Sequence, residues 1–381
     1  MKQYDGRTVF LPRVGLIRSG DILLTFNAES RDRAGSKTSR LITAATRGRF
    51  SHALICSSPP TFVEAISAGV STLSLARCFA HDLRNVRLLR YPDASVAAEA
   101  ARLVQLEIGR DYSRARAVSA VFPVRTLSRI EDHGIFCSAL VAQAYVTAGG
   151  TLFGRTPVER TTPATIDELE GLDDLTEAVF SPGPAPRNIE TMSALDGDRA
   201  PTLSERQTEL SNSYAKALWP VASGIADDFP ELERSVTPSF YGLLDFVVKA
   251  IERTGRIPEE RRHEFVGRVA DLDEALAALL DTGELTGLLR EIAAADDAML
   301  SATVARSFHG DPDIDVVALR GYLEAGREQL SQRQESIRAW EEWGLEHSVA
   351  MRAYLPIDRN AAEAIRRRNT LLEEILGRLG G

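Results

Sequence analysis

The sequence predicts an α+β domain over residues 1–180, a linker over 181–202 and an all-helical domain over 203–381. Three observations carry that expectation. Short apolar runs bounded by turn residues crowd the first part, as strands do. Residues 181–202 open on Ser181-Pro182-Gly183-Pro184-Ala185-Pro186 and continue polar, with Gly197 and Pro201, which is linker composition. Beyond 203, apolar residues recur at helical spacing.

In order, Ser19-Gly20-Asp21-Ile22-Leu23-Leu24-Thr25-Phe26 reads as a turn entering a first strand. Residues 36–48 read as a helix with Leu41, Ile42 and Ala45 inward and Ser36 or Thr38 as cap. Gly35-Ser36-Lys37-Thr38 lacks the first glycine of a phosphate loop, and its lysine does not follow a glycine. Strands are expected at 52–57, 61–67, 69–75 and 86–91, with Ser58-Pro59-Pro60 as the turn between the first two. An alanine-rich helix at 94–109 stops at Gly109. Successive strands joined by hairpins imply an antiparallel sheet with segregated helices. In the helical part, segments 203–218, 238–254, 258–281, 285–307, 313–350 and 358–379 are amphipathic. The stretch 313–350 suits one long helix or an antiparallel pair. No catalytic motif appears there, and a surface for a protein partner is the expected use.

At 44% apolar and 26% charged, the composition is ordinary for globular domains. No run approaches the roughly 18 apolar residues of a membrane span, and the N-terminus enters no apolar signal core. The expected location is the cytoplasm, with export by a specialised route as the alternative. Three cysteines, at 56, 78 and 137, cannot build a disulfide framework. The net charge of -9 is uneven. Residues 1–170 carry 22 basic against 16 acidic side chains, and residues 171–381 carry 23 against 38. The basic part can attract an anionic substrate or a membrane surface; no nucleic-acid partner is expected. The cysteines and histidines lack the clustered spacing of a zinc site, so neither a metal nor another cofactor is expected.

Residues 134–148 read as a buried helix with Cys137 in its first turn. Cys137, Leu140, Val141, Ala144, Tyr145 and Ala148 form one stripe, and Gly149-Gly150 ends it. The unpaired N–H groups of a first turn stabilise a thiolate. A small apolar core residue is the alternative use of such a cysteine.

A hairpin centred on Ser58 would set His52 directly across from Glu64, with Cβ atoms about 4.5–5.5 Å apart. Each shares its strand face with apolar neighbours: Leu54 and Cys56 beside His52, Phe62 and Ile66 beside Glu64. A buried carboxylate is expensive unless paired. The pair could simply fasten two strands. Joined to Cys137, it becomes a nucleophile, a base and an orienting group. The Cys137 N–H could then help bind an oxyanion. His81 and His133 are the alternative bases.

Five segments occur in a known order. They are Ser19-Gly20-Asp21-Ile22-Leu23-Leu24, Phe50-Ser51-His52-Ala53-Leu54-Ile55, Val63-Glu64-Ala65-Ile66, Gly109-Arg110-Asp111-Tyr112-Ser113 and Phe136-Cys137-Ser138-Ala139-Leu140-Val141. With Thr162-Pro163, the chain over about 15–170 resembles the circularly permuted branch of the NlpC-type, papain-like thiol hydrolases, the YiiX-like proteins, to which the lecithin-retinol acyltransferase group is related. The resemblance implies a permuted papain-like domain with Cys137 as nucleophile, His52 as base, Glu64 as third residue and Tyr112 shaping the substrate site. It implies an amidase or peptidase acting through a Cys137 acyl-enzyme. A lipid-directed thioesterase, phospholipase or acyltransferase with the same triad is the first alternative, and a non-catalytic binding module the second. The substrate is accordingly a peptide, an amide or a lipid acyl group. The helical part has no counterpart in the small members of that family.

Overall fold

The computed structural model describes residues 7–26, 48–110, 112, 135–186, 189, 192–197, 203–233, 236–308, 316–343 and 345–379. Most of the helix expected at 36–48 lies outside them, as does His133. The chain forms two compact units. One comprises Met1–Gln105, Tyr112–Thr202 and Val317–Ala325; the other comprises Leu106–Asp111, Leu203–Val316 and Gly326–Gly381.

The first unit is α+β. Its strands are β1 (Thr8–Pro12), β2 (Ile22–Thr25), β3 (His52–Ser58), β4 (Thr61–Ile66), β5 (Gly69–Ser74), β6 (Cys78–Phe79) and β7 (Val86–Arg90). Helices α1 (Ala94–Gln105), α2 (Cys137–Thr147) and α3 (Pro163–Asp167) follow. Then come β8 (Asp173–Asp174), α4 (Thr176–Val179), β9 (Phe180–Pro184) and β10 (Ser193–Ala194). Six strands form one antiparallel sheet in the order β5-β4-β3-β2-β7-β8. Alternation gives the sheet two apolar faces. Leu23, Leu54, Cys56, Phe62, Val86 and Leu88 bury one face against Leu75, Ala80, Val179 and Phe180. Helices α1 and α2 pack on β3, and α2 also on β4. No residue of either helix joins that first cluster, so they cover the opposite face, which carries Ile22, Leu24, Ala53, Ile55, Val63 and Ala65.

Residues 181–202 are not simply a linker. Phe180–Pro184 pairs antiparallel with β1, and Ser193–Ala194 pairs parallel with β6. Proline is compatible with strand β9 because that strand lies in a two-stranded sheet, where one edge needs no ladder donor.

The second unit is helical: α5 (Leu203–Asp228), α6 (Phe240–Glu252), α7 (Glu259–Asp281), α8 (Glu284–Phe308), α9 (Val316–Trp343), apart from the Val317–Ala325 portion that belongs to the first unit, and α10 (Val349–Leu379). Phe229, Phe240, Phe246, Phe265, Leu272, Leu276 and Met351 lie in its core. The stretch 313–350 holds one long helix, α9, and the start of α10. Helix α10 begins well before the expected residue 358 and runs through Pro356. Its start is fixed by Asp273, whose carboxylate accepts from Ser348 Oγ at 2.6 Å and from the N–H groups of Val349 and Ala350 at 2.6 and 3.0 Å. Three donors on one carboxylate make a strong N-terminal cap. No described helix is long and apolar enough to cross a membrane.

Candidate active site

Cys137 is the first residue of α2, after Phe136 in extended conformation as N-cap. The helix is buried on nearly every side from Cys137 to Tyr145, not along one stripe. Gly149, with φ +85°, follows Ala148 and ends it. Ser138 is fully buried, and its Oγ donates to Thr161 O at 2.8 Å. Next in the chain, Thr162 caps α3: its Oγ1 accepts from Thr165 N at 3.1 Å, while Thr165 Oγ1 accepts from Thr162 N at 3.2 Å. The Thr-Pro element thus holds a rigid loop end against the start of the cysteine helix.

His52 opens β3, and its Nε2 lies 2.7 Å from Glu64 Oε2. Glu64 is 1% exposed and the His52 side chain 20%. The register differs from the simple hairpin. Glu64 faces Leu54, not His52. Ser58 pairs with Thr61 across a two-residue turn, and the register then shifts between Cys56 and Ser58. Without that bulge, the register at the turn would put Glu64 and His52 on opposite faces, because a one-residue slip flips every side chain. The extra residue restores the parity, so the pair meets diagonally. Diagonal cross-strand neighbours are within reach of long side chains.

Cys137 and His52 are hydrogen-bonded. Since Nε2 serves Glu64, Nδ1 is left for sulfur. The N–H groups of Ala53 and Ser138 also donate to the sulfur. Burial alone would push the Cys137 thiol up. The His52 charge, its hydrogen bond and the two backbone donors overcome burial and lower it. Burial likewise opposes the His52 imidazolium. Cys137 and Glu64 outweigh it and raise His52 to about 9. Both shifts favour a thiolate–imidazolium pair.

Sequence reasoning did not single out Ser138 or the Ala53 N–H. The signal for Ser138 was a hydroxyl inside an otherwise apolar helix. Tyr112 forms an isolated parallel bridge with Ile135, two residues before Cys137. His81 stands elsewhere, held through its own N–H and Nδ1 by buried Asp196, which also accepts from Asp82 N and Asn85 Nδ2. Asp196 thereby fixes a turn. Cys56 and Cys78 belong to the core cluster on the face away from α1 and α2. None of the three cysteines, all among the described residues, forms a disulfide. Among the described residues no group of His, Cys, Asp and Glu could hold a metal. A comparison with protein-family models, curated proteins and solved structures finds no match to this chain.

Proposed function

We propose that the protein is a cysteine-dependent acyl hydrolase, of amidase or peptidase type, in a permuted papain-like domain. The observation that carries this reading is the chain of contacts Cys137–His52–Glu64, closed by 2.7 Å between His52 Nε2 and Glu64 Oε2. Buried groups bonded in that order match the needs of nucleophilic catalysis. A strand fastener would need only the histidine and the carboxylate.

The Cys137 thiolate attacks the acyl carbonyl, forming a C–S bond as the carbonyl oxygen takes up the electron pair. When the tetrahedral adduct collapses, the bond to the leaving nitrogen or oxygen breaks. His52 Nδ1 gives that atom its proton. The product is a Cys137 thioester with neutral His52. Water then attacks the thioester while His52 takes a proton from it. Breaking the C–S bond releases the acid and regenerates the ion pair. Glu64 holds the Nε2 hydrogen throughout, so Nδ1 always faces the reaction. The N–H groups of Ala53 and Ser138 stabilise sulfur while it is anionic. The residual choice among amide, ester and thioester lies in the leaving group and not in these residues.

The test is covalent trapping with p-nitrophenyl acetate, quenched in acid and read by peptide mass spectrometry. An acetyl group on Cys137, absent from Cys56 and Cys78 and lost in His52→Ala, is expected. No acetyl-Cys137 and no burst of p-nitrophenolate would sink the reading.

A further inference from the structure

The end of the sheet that carries His52 also carries an arginine that the reaction scheme does not use. Thr25 pairs with His52 on one side and with Val86 on the other. Residues 84–86 therefore lie two strands from His52, about 10 Å away at the usual strand spacing. Arg49 reaches this place from just upstream of β3. Its Nε donates to Arg84 O at 2.7 Å, and its guanidinium carbon lies 5.0 Å over the ring of Phe50, a fully buried residue. Although Arg49 is exposed, two contacts fix its side chain. Its terminal amino groups meet no acceptor among the described residues.

The carboxylates around it are already engaged. Both oxygens of Asp82 are taken by Arg84, at 3.1 Å from Nε and 2.6 Å from Nη2, and Asp196 accepts from the N–H groups of His81 and Asp82 and from Asn85 Nδ2. A planar fork already oriented loses little freedom when it binds, and it matches a carboxylate or a phosphate with two parallel hydrogen bonds.

We propose that Arg49 recognises an anionic group on the substrate: the acyl donor carries a carboxylate or phosphate on the β7 side of the carbonyl that Cys137 attacks, at the two-strand spacing of about 10 Å from His52. This deepens the hydrolase reading and rests on it for the word substrate. The recognition itself needs only a reactive Cys137.

The test uses alkylation in place of turnover. N-Iodoacetyl-6-aminohexanoate reaches about 10 Å when extended, the length of three residues. It is compared with its methyl ester and with 5-(iodoacetamido)pentyl phosphate. In each case the thiolate forms a C–S bond, the C–I bond breaks and iodide leaves. The readout is the rate at Cys137 for each anion divided by that for the neutral ester, a ratio that cancels changes in thiolate population. The ratio is expected to exceed one by about three- to fivefold, the range of an exposed ion pair. It should fall toward one in Arg49→Gln, lie between in Arg49→Lys and shrink with added salt. The larger of the two anion ratios assigns carboxylate or phosphate. A ratio that is the same in wild type and Arg49→Gln would overturn the proposal and leave the hydrolase reading standing. A retained Arg49-dependent ratio without acetyl-Cys137 would do the reverse.

Discussion

Glu64 shows how one buried charge is made tolerable and useful at once. At 1% exposed it would be costly alone, and His52 supplies the compensating donor. The exchange also moves protons. Glu64 raises His52, and His52 lowers Cys137. Glu64→Gln keeps a hydrogen-bond acceptor but removes the charge. His52 should then titrate below its present value of about 9, and the Cys137 thiolate should form at a higher pH. The pH window of the ion pair narrows from both sides. Stopped-flow alkylation at pH 6 should slow by roughly tenfold, the factor of one pKa unit. An unchanged profile would mean that Glu64 only fastens strands. This pairing was half legible in the sequence. Polar residues at 52 and 64 on apolar faces implied a partnership, but the register came out two residues off, because a bulge has no reliable signature in Ser57, Ser58 and two prolines.

At the scale of elements, the site depends on how helices meet the sheet. Gly20 lies in the turn before β2, with φ +85°, and a Cβ there would sit 2.6 Å from both Ala97 Cβ and Ala97 O in α1. Its carbonyl also accepts from the buried Tyr145 hydroxyl of α2. One glycine therefore lets both helices close on the sheet. Gly20→Ala should cost about 2–4 kcal/mol, combining left-handed strain with overpacking of rigid neighbours. Urea unfolding followed by Tyr and Trp fluorescence would measure it, and a loss under 0.5 kcal/mol would show that the turn relaxes freely. The helix at 137–147 was legible from its apolar run and its closing glycines. The stripe drawn along it was not, because a helix buried all round carries no amphipathic signal. The start of α10 was missed for another reason. Asp273, its cap, lies more than seventy residues away in sequence.

At the scale of the molecule, the change of composition near residue 203 marked the passage from strands to helices. Chain order did not reveal that 106–111 join the helical unit or that 317–325 join the first. In the first unit, Tyr322 Oη donates to Ala76 O, and Gly321 packs on Gly15 so closely that a Cβ would lie 2.5 Å from its nitrogen. Such packing is invisible to local pattern. The central claim, a thiolate held by His52, is tested most directly by the pH dependence of Cys137 alkylation with iodoacetamide, resolved by mass spectrometry. Wild type and His52→Ala are compared from pH 4 to 9. Cys137 should already react rapidly well below the usual thiol value of about 8.5. In His52→Ala its reactivity should appear only near or above that value, since burial then acts with less opposition. Coincident profiles, or a Cys137 that titrates like Cys56 and Cys78, would contradict the account.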